Sequence, residues 1–246
     1  MYIMVLTDNE FIYDKFNLLI NDSLYKNDKF DFFYSPKNLN FNIKYNNSNS
    51  FKEISINEKL DDIIQKYDLV LSLHCKQIFP VKLVKSLRCI NIHPGLNPYN
   101  RGYYPQVFSL LNKFPIGVTI HEMDELLDHG PVIVQEEVKI NDWDTSYDVY
   151  KKIQDKEIEL LTNQLRSIID GNYNTTTTQE GNINMKKDFD ELCEVDLDKT
   201  VTYREAIDYL RAMTFNGYNN AYFYDQYGNK IYIEIRLKVE GRESKN

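Results

Sequence analysis

Apolar positions recur along this chain in two rhythms. Tyr2–Leu6 (YIMVL) and the LVLSL of DLVLSLH are short, almost unbroken apolar runs, the pattern of strands covered on both faces. Other stretches repeat with the helical period. Phe11, Ile12, Phe16 and Leu19 share one face behind Asp8 and Asn9, both suited to capping a helix. Leu60, Ile63, Ile64 and Tyr67 follow i, i+3, i+4, i+7, whereas residues 35–53 are polar and Asn/Ser-rich, predicting surface loops around weak strands. Pro80–Leu87 predicts a short helix with Pro near its first turn, leading into a strand at Cys89–Asn91. Pro105 can open a helix marked by Tyr104, Val107, Phe108 and Leu111. Gly117–Met123 and Val132–Ile140 predict two further strands. Thr145–Ile169 predicts a long helix, with Thr145 and Asp148 as a capping box and Val149, Ile153, Leu160, Leu161, Leu165 and Ile168 as its apolar face.

Strands alternating with helices predict an α/β fold: a Rossmann-like, mostly parallel sheet with helices on both faces. In such sheets ligands collect beyond the carboxyl ends of the strands, where His74 and the Asn91/His93 pair fall. No G-x-G-x-x-G follows the first strand, and no G-x-x-x-x-G-K-[ST] occurs. Gly171–Asn184 (GNYNTTTTQEGNIN) is polar and turn-rich, a linker or edge structure. It divides a main domain, 1–184, from a small α+β C-terminal subdomain, 185–246. The latter is predicted to hold one helix, Tyr203–Met213, the aromatic segment FNGYNNAYFY, two short strands around a turn at Gln226–Asn229, and a charged tail that frays. A piece this small should lean on the main domain or on another subunit.

Composition narrows the partners. With 42% hydrophobic and 27% charged residues among 246, the chain fits a soluble globular protein, and no apolar run approaches the roughly 18 residues of a membrane span. The N-terminus reads as a strand rather than a leader, so a cytoplasmic location is expected. Three scattered cysteines match no zinc or redox spacing and are expected to be free thiols. A net charge of −8 disfavours a nucleic-acid surface and favours a small-molecule ligand.

The densest chemistry lies in NIHPGLNPYNRGYYPQ, Asn91–Gln106. On an extended segment Asn91 and His93 point the same way. The amide can donate to a developing oxyanion, and the imidazole can relay a proton near neutral pH. Asp128, in the connection Asp124–Pro131 with His129 and Gly130, is the best carboxylate to orient that imidazole. Spacing alone equally allows His93 to satisfy a turn carbonyl, Asn91 to cap a strand and Asp128 to form an Asx-turn with Gly130.

Together, NIHPGLNPYNRGYYPQ and GVTIHEMDELLDHGPVI resemble the paired signature of the folate-dependent formyltransferases, Asn-x-His followed by Leu-Asp-x-Gly. The NPYNRG and PQVFSLLNK variants are closest to the nucleotide-sugar N-formyltransferases acting on dTDP-linked amino-dideoxy sugars. The resemblance is strong over residues 68–165 and looser at the first strand and at TYREAIDYLRAMTFNGYNNAYFY. It implies N10-formyltetrahydrofolate as formyl donor, no metal, and an amine on a dTDP-linked sugar as acceptor. The acceptor most in keeping is dTDP-4-amino-4,6-dideoxyglucose, for O-antigen or other surface polysaccharide.

Carried onto this sequence, the resemblance makes Asn91 the oxyanion donor and His93, held by Asp128, the group that helps remove the amine proton. Backbone groups of Gln77, Ile78 and Phe79, with Met123 and Leu127 of the Met123–Asp128 loop, would hold the pterin. Lys76, Asn97, Tyr99, Asn100, Arg101 and Tyr103 would meet the sugar and diphosphate, and Phe215, Tyr218, Asn219 and Tyr222 the thymine. Lys76 and Arg101 could equally be solvated charges, and the aromatic cluster core or interface. His121 and His129 are read as supporting or structural. A homodimer through the C-terminal subdomain is implied. Alternatives are a 3-amino-3,6-dideoxyhexose, another amine including methionyl-tRNA, and a folate or nucleotide-sugar binding module without catalysis. The tRNA alternative calls for a basic C-terminal domain, which RESKN does not supply.

Overall fold

The computed structural model describes residues 1–36, 38–45, 50–177 and 179–241, and the charged tail expected to fray lies outside them. In chain order, β1 (Tyr2–Thr7), α1 (Glu10–Ile20), β2 (Lys29–Tyr34), α2 (Leu39–Tyr45), β3 (Phe51–Glu53), α3 (Leu60–Lys66), β4 (Leu69–Leu73), α4 (Val81–Ser86) and β5 (Arg88–His93) form the first half. Then come β6 (Arg101–Gly102), α5 (Pro105–Asn112), β7 (Gly117–Glu122), β8 (Val132–Glu137) and α6 (Ser146–Asp170). The chain continues through β9 (Ile183–Asn184), α7 (Lys186–Leu192), α8 (Tyr203–Met213), β10 (Ala221–Tyr224) and β11 (Lys230–Ile233).

Seven strands join one sheet in the order β3-β2-β1-β4-β5-β7-β8. The first five are parallel, and β7 and β8 add an antiparallel edge. The mostly parallel sheet expected from the alternation is therefore present. Its two faces explain the unbroken apolar runs. Ile3, Val5, Leu69, Leu71, Ile90 and Ile92 pack with Ile12 and Phe16 of α1 and Ile153, Leu160 and Leu165 of α6. Met4, Leu6, Val70 and Cys89 pack on the other side with Ile63 of α3 and Leu83 of α4. Successive strand residues alternate between these layers, each fully buried side chain contributing about 1.5–3 kcal/mol.

Local signals set the helix ends. The Asn9 side chain accepts from the Ile12 N–H at 3.1 Å and caps α1. Thr145 and Asp148 form the expected capping box of α6, Thr202 and Glu205 another at α8, and Gly171 ends α6 at φ +70°. Three features depart from the sequence reading. The KFDFFY run, too aromatic to alternate cleanly, is strand β2, and its Phe32 and Tyr34 pack on Phe51. Within 35–53 lies helix α2, where only loops and weak strands were expected. The C-terminal region has α7 as well as α8.

The polar segment after α6 is a strap rather than a free linker. Thr176 and Val132 exchange two backbone hydrogen bonds of 2.8 Å, and β9 pairs in parallel with β6. Beyond it, Phe189, Ala212, Met213 and Ala221 join the main core, so the C-terminal region leans on the first domain. An ion pair of 2.5 Å between Lys113 and Asp208 links α5 to α8. Cys75, Cys89 and Cys193 are free thiols. Among the described residues no helix is long and apolar enough to cross a membrane.

Candidate active site

β5 ends in Asn91-Ile92-His93, and its alternation turns Asn91 and His93 to the same side as Cys89, the face covered by α3 and α4. The loop from β7 to β8 folds back over that face. The Met123 N–H donates to the Cys89 carbonyl at 2.8 Å, and His129 Nδ1 meets Asp124 Oδ2 at 2.7 Å. A Cβ at Gly130 would fall 1.9 Å from the Glu122 carbonyl oxygen, so only glycine closes this loop. At its tip Asp128, at φ +47°, reaches both β5 residues.

Asp128 Oδ1 accepts from Asn91 Nδ2 at 2.9 Å, and Oδ2 accepts from the Gly102 N–H at 3.1 Å. Oδ2 also faces His93 Nδ1 at 3.5 Å, a charge contact slightly long for a hydrogen bond. His93 is buried and its Nε2 lacks a partner among the described residues. A Cβ at Gly95 would lie 2.3 Å from that nitrogen, so glycine gives the ring its place. Burial pushes the His93 pKa below its ordinary value, Asp128 partly opposes this, and the charges of His74 and Arg101 push it down further. The imidazole is therefore neutral at pH 7 and can take a proton.

His121 supports from behind. Its Nδ1 lies 2.7 Å from the Glu122 carbonyl, which can only accept, so Nδ1 carries the proton and Nε2 accepts from Asn91 Nδ2 at 3.3 Å. Burial lowers the His121 pKa as well. Both hydrogens of the Asn91 amide thus face acceptors, and donation to an oxyanion would exchange the longer bond, to His121.

The NPYNRG stretch divides differently from expectation. Asn97, expected at the substrate, is buried and donates from Nδ2 to the Asp128 carbonyl at 2.8 Å and from its N–H to Thr119 Oγ1 at 3.0 Å. Asn100, also expected there, is fully buried: its Oδ1 accepts from Asn112 and Asn182, and its Nδ2 donates to Ser109. The Asn100 amide and the Asn97 Nδ2 shape the loop through these bonds, whereas the buried Asn97 Oδ1 has no partner among the described residues. Arg101 is no solvated charge: it is 3% exposed, close enough to His93 to lower its pKa, with Nε and Nη1 unpartnered among the described residues. Tyr99 and Tyr103 remain open to solvent.

Among residues expected to offer backbone groups to the pterin, Gln77 anchors its segment through its side chain, which accepts from the Ile56 N–H and donates to the Ile54 carbonyl. Phe79 is core, and Met123 packs on the same cluster, whereas Ile78 and Leu127 are exposed. Lys76 is exposed just past β4, its N–H bound to Asp8 Oδ2 at 2.8 Å. Phe215 and Tyr218 form an aromatic wall with Tyr147 and Tyr150. Tyr222 is not part of it: its ring packs on Tyr224 and Tyr232 beneath the Lys230 ammonium, because β10 turns it onto the hairpin face. Asn219 is exposed in the preceding turn.

One cluster went unassigned in the sequence reading. His74, at φ +62° after β4, is turned so that its Nε2 meets Glu157 Oε1 of α6 at 2.6 Å. Its Nδ1 lies 3.3 Å from the Tyr150 hydroxyl, which accepts from Asn9 Nδ2 at 2.7 Å. Glu157 is completely buried, with Oε2 unpartnered among the described residues. The signal was legible: Glu157 falls on the stripe 149, 153, 157, 161 of an otherwise apolar helix face, where an unpaired charge is costly. Among the described residues no group of three or more His, Cys, Asp or Glu side chains could hold a metal ion.

Comparison with known proteins agrees with this geometry. Residues 29–165 match the Formyl transferase family model, and residues 188–239 match the N-formyltransferase dimerization C-terminal domain. The dTDP-4-amino-4,6-dideoxyglucose formyltransferase of Mycobacterium bovis is 46% identical over 184 residues, 74% of this chain and 79% of that protein. The crystal structure of a 4-N formyltransferase from Francisella tularensis superposes with a TM-score of 0.93 at 48% identity, covering 97% of this chain and 98% of that one. That of a sugar N-formyltransferase from a Shewanella species gives 0.92 at 40% identity, covering 97% and 98%. With the Asn91–His93–Asp128 cluster assembled from two distant stretches and these matches spanning both ends, the chain belongs to the formyl transferase family, alongside the sugar N-formyltransferases.

Proposed function

We propose that this protein transfers the formyl group of N10-formyltetrahydrofolate to the amine of dTDP-4-amino-4,6-dideoxyglucose. The observation that carries the reading is His93 itself: buried, kept neutral, backed by Asp128, and with Nε2 unpartnered among the described residues. The names of the Mycobacterium bovis and Francisella tularensis relatives favour a 4-amino sugar.

Bound folate supplies an electrophilic formyl carbon. The chain's own part is proton and charge handling. His93 Nε2 takes the proton that the acceptor amine sheds as its nitrogen bonds to the formyl carbon and passes it to N10, whose bond to that carbon breaks so that tetrahydrofolate leaves, and Asp128 Oδ2 stabilises the transient imidazolium. Asn91 Nδ2 turns from His121 to the formyl oxygen as negative charge develops there, an interaction worth about 3–4 kcal/mol in comparable sites. Ile78 and Leu127 offer exposed apolar surface to the pterin. Lys76 is suited to the diphosphate, and Phe215 with Tyr218 to the base.

The reading includes a homodimer through residues 188–239, supported by the match to a dimerization domain and by exposed Tyr203, Tyr227 and Tyr232. Light scattering should give twice the chain mass.

Single-turnover mass spectrometry with a panel of dTDP- and UDP-linked 3-amino and 4-amino dideoxy sugars tests the activity. A gain of one CO unit on the dTDP-linked 4-amino sugar, abolished by His93→Asn, is expected. Binding of both ligands without any gain would replace catalysis with a binding role, and a gain on another sugar would reassign the acceptor.

A further inference from the structure

The strap after α6 meets the catalytic loop along its whole contact, residues 180–184. The Asn182 carbonyl accepts from the Arg101 N–H at 3.1 Å, and the Asn184 carbonyl from the Tyr103 N–H at 2.8 Å. These two bonds flank Gly102 and fix its peptide plane. They aim the Gly102 N–H at Asp128 Oδ2, the same oxygen that faces His93 Nδ1. The approach is tight. A Cβ at Gly102, which sits at φ +89°, would be 2.5 Å from the Asn184 carbonyl oxygen, and one at Gly181 would be 1.9 Å from the Pro98 carbonyl oxygen.

Side chains lock the arrangement. Asn182 Oδ1 accepts from the Asn100 N–H at 2.9 Å, while Asn182 Nδ2 donates back to Asn100 Oδ1 at 2.7 Å, a reciprocal pair closed around a fully buried residue. Asn184 Nδ2 adds a longer bond of 3.3 Å to the same oxygen. Two residues after Asn184 begins α7, whose Phe189 packs on Tyr104 with ring centroids 4.3 Å apart. The chain then enters the region that matches the dimerization domain.

We propose that Asn182 and Asn184 are positioning residues for formyl transfer, acting through Asn100 and Gly102 on Asp128, so that seating of the C-terminal domain is transmitted to the catalytic carboxylate. The proposal rests on the formyl-transfer reading. The groups facing Asp128 are His93 and Asn91 from β5, His121 from β7 and the Gly102 N–H from β6, with Arg101 alongside His93. Loss of the Asn182 side chain removes both of its bonds to Asn100 and loosens the loop that aims the Gly102 N–H, which leaves Asp128 Oδ2 more to His93.

The test uses the full-length dimer with Asn182→Ala, the milder Asn184→Ala, and Thr176→Ala as a control whose strap contacts to Val132 are main-chain only. Asn182→Ala is expected to lower kcat about 10- to 100-fold, the scale of a small misplacement, with KM for both substrates nearly unchanged. The acid limb of kcat/KM should move to higher pH, and the His93 imidazole titration followed by NMR should move the same way. Thr176→Ala should match wild type. A purely structural strap would lower Tm while leaving the rate per folded dimer, the acid limb and the His93 titration in place, and that outcome overturns the proposal. If Asn182→Ala does not fold, an unchanged Asn184→Ala titration and rate reject it equally. The NMR titration does not depend on the acceptor, so it separates this idea from a wrong choice of reaction.

Discussion

Asp128→Asn is the sharpest test of the catalytic cluster because it changes charge with almost no change in shape. In the native site both carboxylate oxygens accept, from Asn91 Nδ2 and from the Gly102 N–H. An asparagine amide must turn its NH2 toward one of those donors, leaving a buried donor unmet at about 1–3 kcal/mol. For a chain of this size that corresponds to a fall in Tm of a few degrees, about 2–4 °C per kcal/mol. The catalytic loss should be larger. Asp128 Oδ2 lies 3.5 Å from His93 Nδ1. A unit charge pair at about 4 Å in an effective dielectric of 20 is worth about 4 kcal/mol, a ceiling near 10³ in rate for stabilising the imidazolium. Single-turnover formyl transfer at saturating substrates should therefore slow about 10²- to 10³-fold, with the acid limb shifted to lower pH because only the pKa-lowering causes remain around His93. A variant that keeps wild-type single-turnover rates would refute the assignment of Asp128, whatever its Tm.

Three further outcomes are expected. Burial holds His93 and His121 below the ordinary histidine value of 6.5, so the unfolded chain binds more protons as pH falls through that value; stability should be constant above it and decline below it in denaturant titrations. In His93→Gln, a constant part of that decline should disappear, and an identical pH dependence would count against a depressed His93. Gly95→Ala would push a methyl to within 2.3 Å of His93 Nε2, and kcat should drop at least about tenfold while circular dichroism stays native; full activity would mean that the ring is free to move aside. Glu157→Leu leaves His74 Nε2 without its carboxylate partner and should destabilise the fold by about 1–3 kcal/mol in urea unfolding; wild-type stability would mean that the contact contributes nothing to the fold.

The fold was legible because it is written locally. Asn9, Thr145 with Asp148, Pro105 and Gly171 act within a turn of their own positions, and the apolar runs of β1 and β4 report burial on both faces wherever those strands pair. Strand β2 escaped because aromatic rings fill its layer without alternating, and α2 because an Asn-rich segment has little helical signature of its own. Asn91 and His93 were legible from the two-residue period, and Asp128 from family resemblance. Its approach depends on a loop that folds back over the sheet, which no spacing rule encodes. The inward partners of the Asn97 and Asn100 side chains could not be read from the sequence, because an amide beside a reactive histidine serves a ligand or the backbone equally well until its neighbours are known. The strap contact joins residues about 80 positions apart and had no local trace.

The Thr176–Val132 bridge has a second consequence, for the behaviour of the sheet's open margin. An uncovered edge strand is a template on which another chain can pair. β8 reads VIVQEE, apolar in its first half and charged in its last, and the strap crosses it at Val132. The half able to nucleate pairing is thus partly capped by the chain itself, and the other half is guarded by Glu136 and Glu137. At the opposite margin β3 is only three residues long, too short to recruit a stranger. A proteolytic cut in the strap should therefore uncover β8 and let copies of the chain associate through it, even with every core residue still in place.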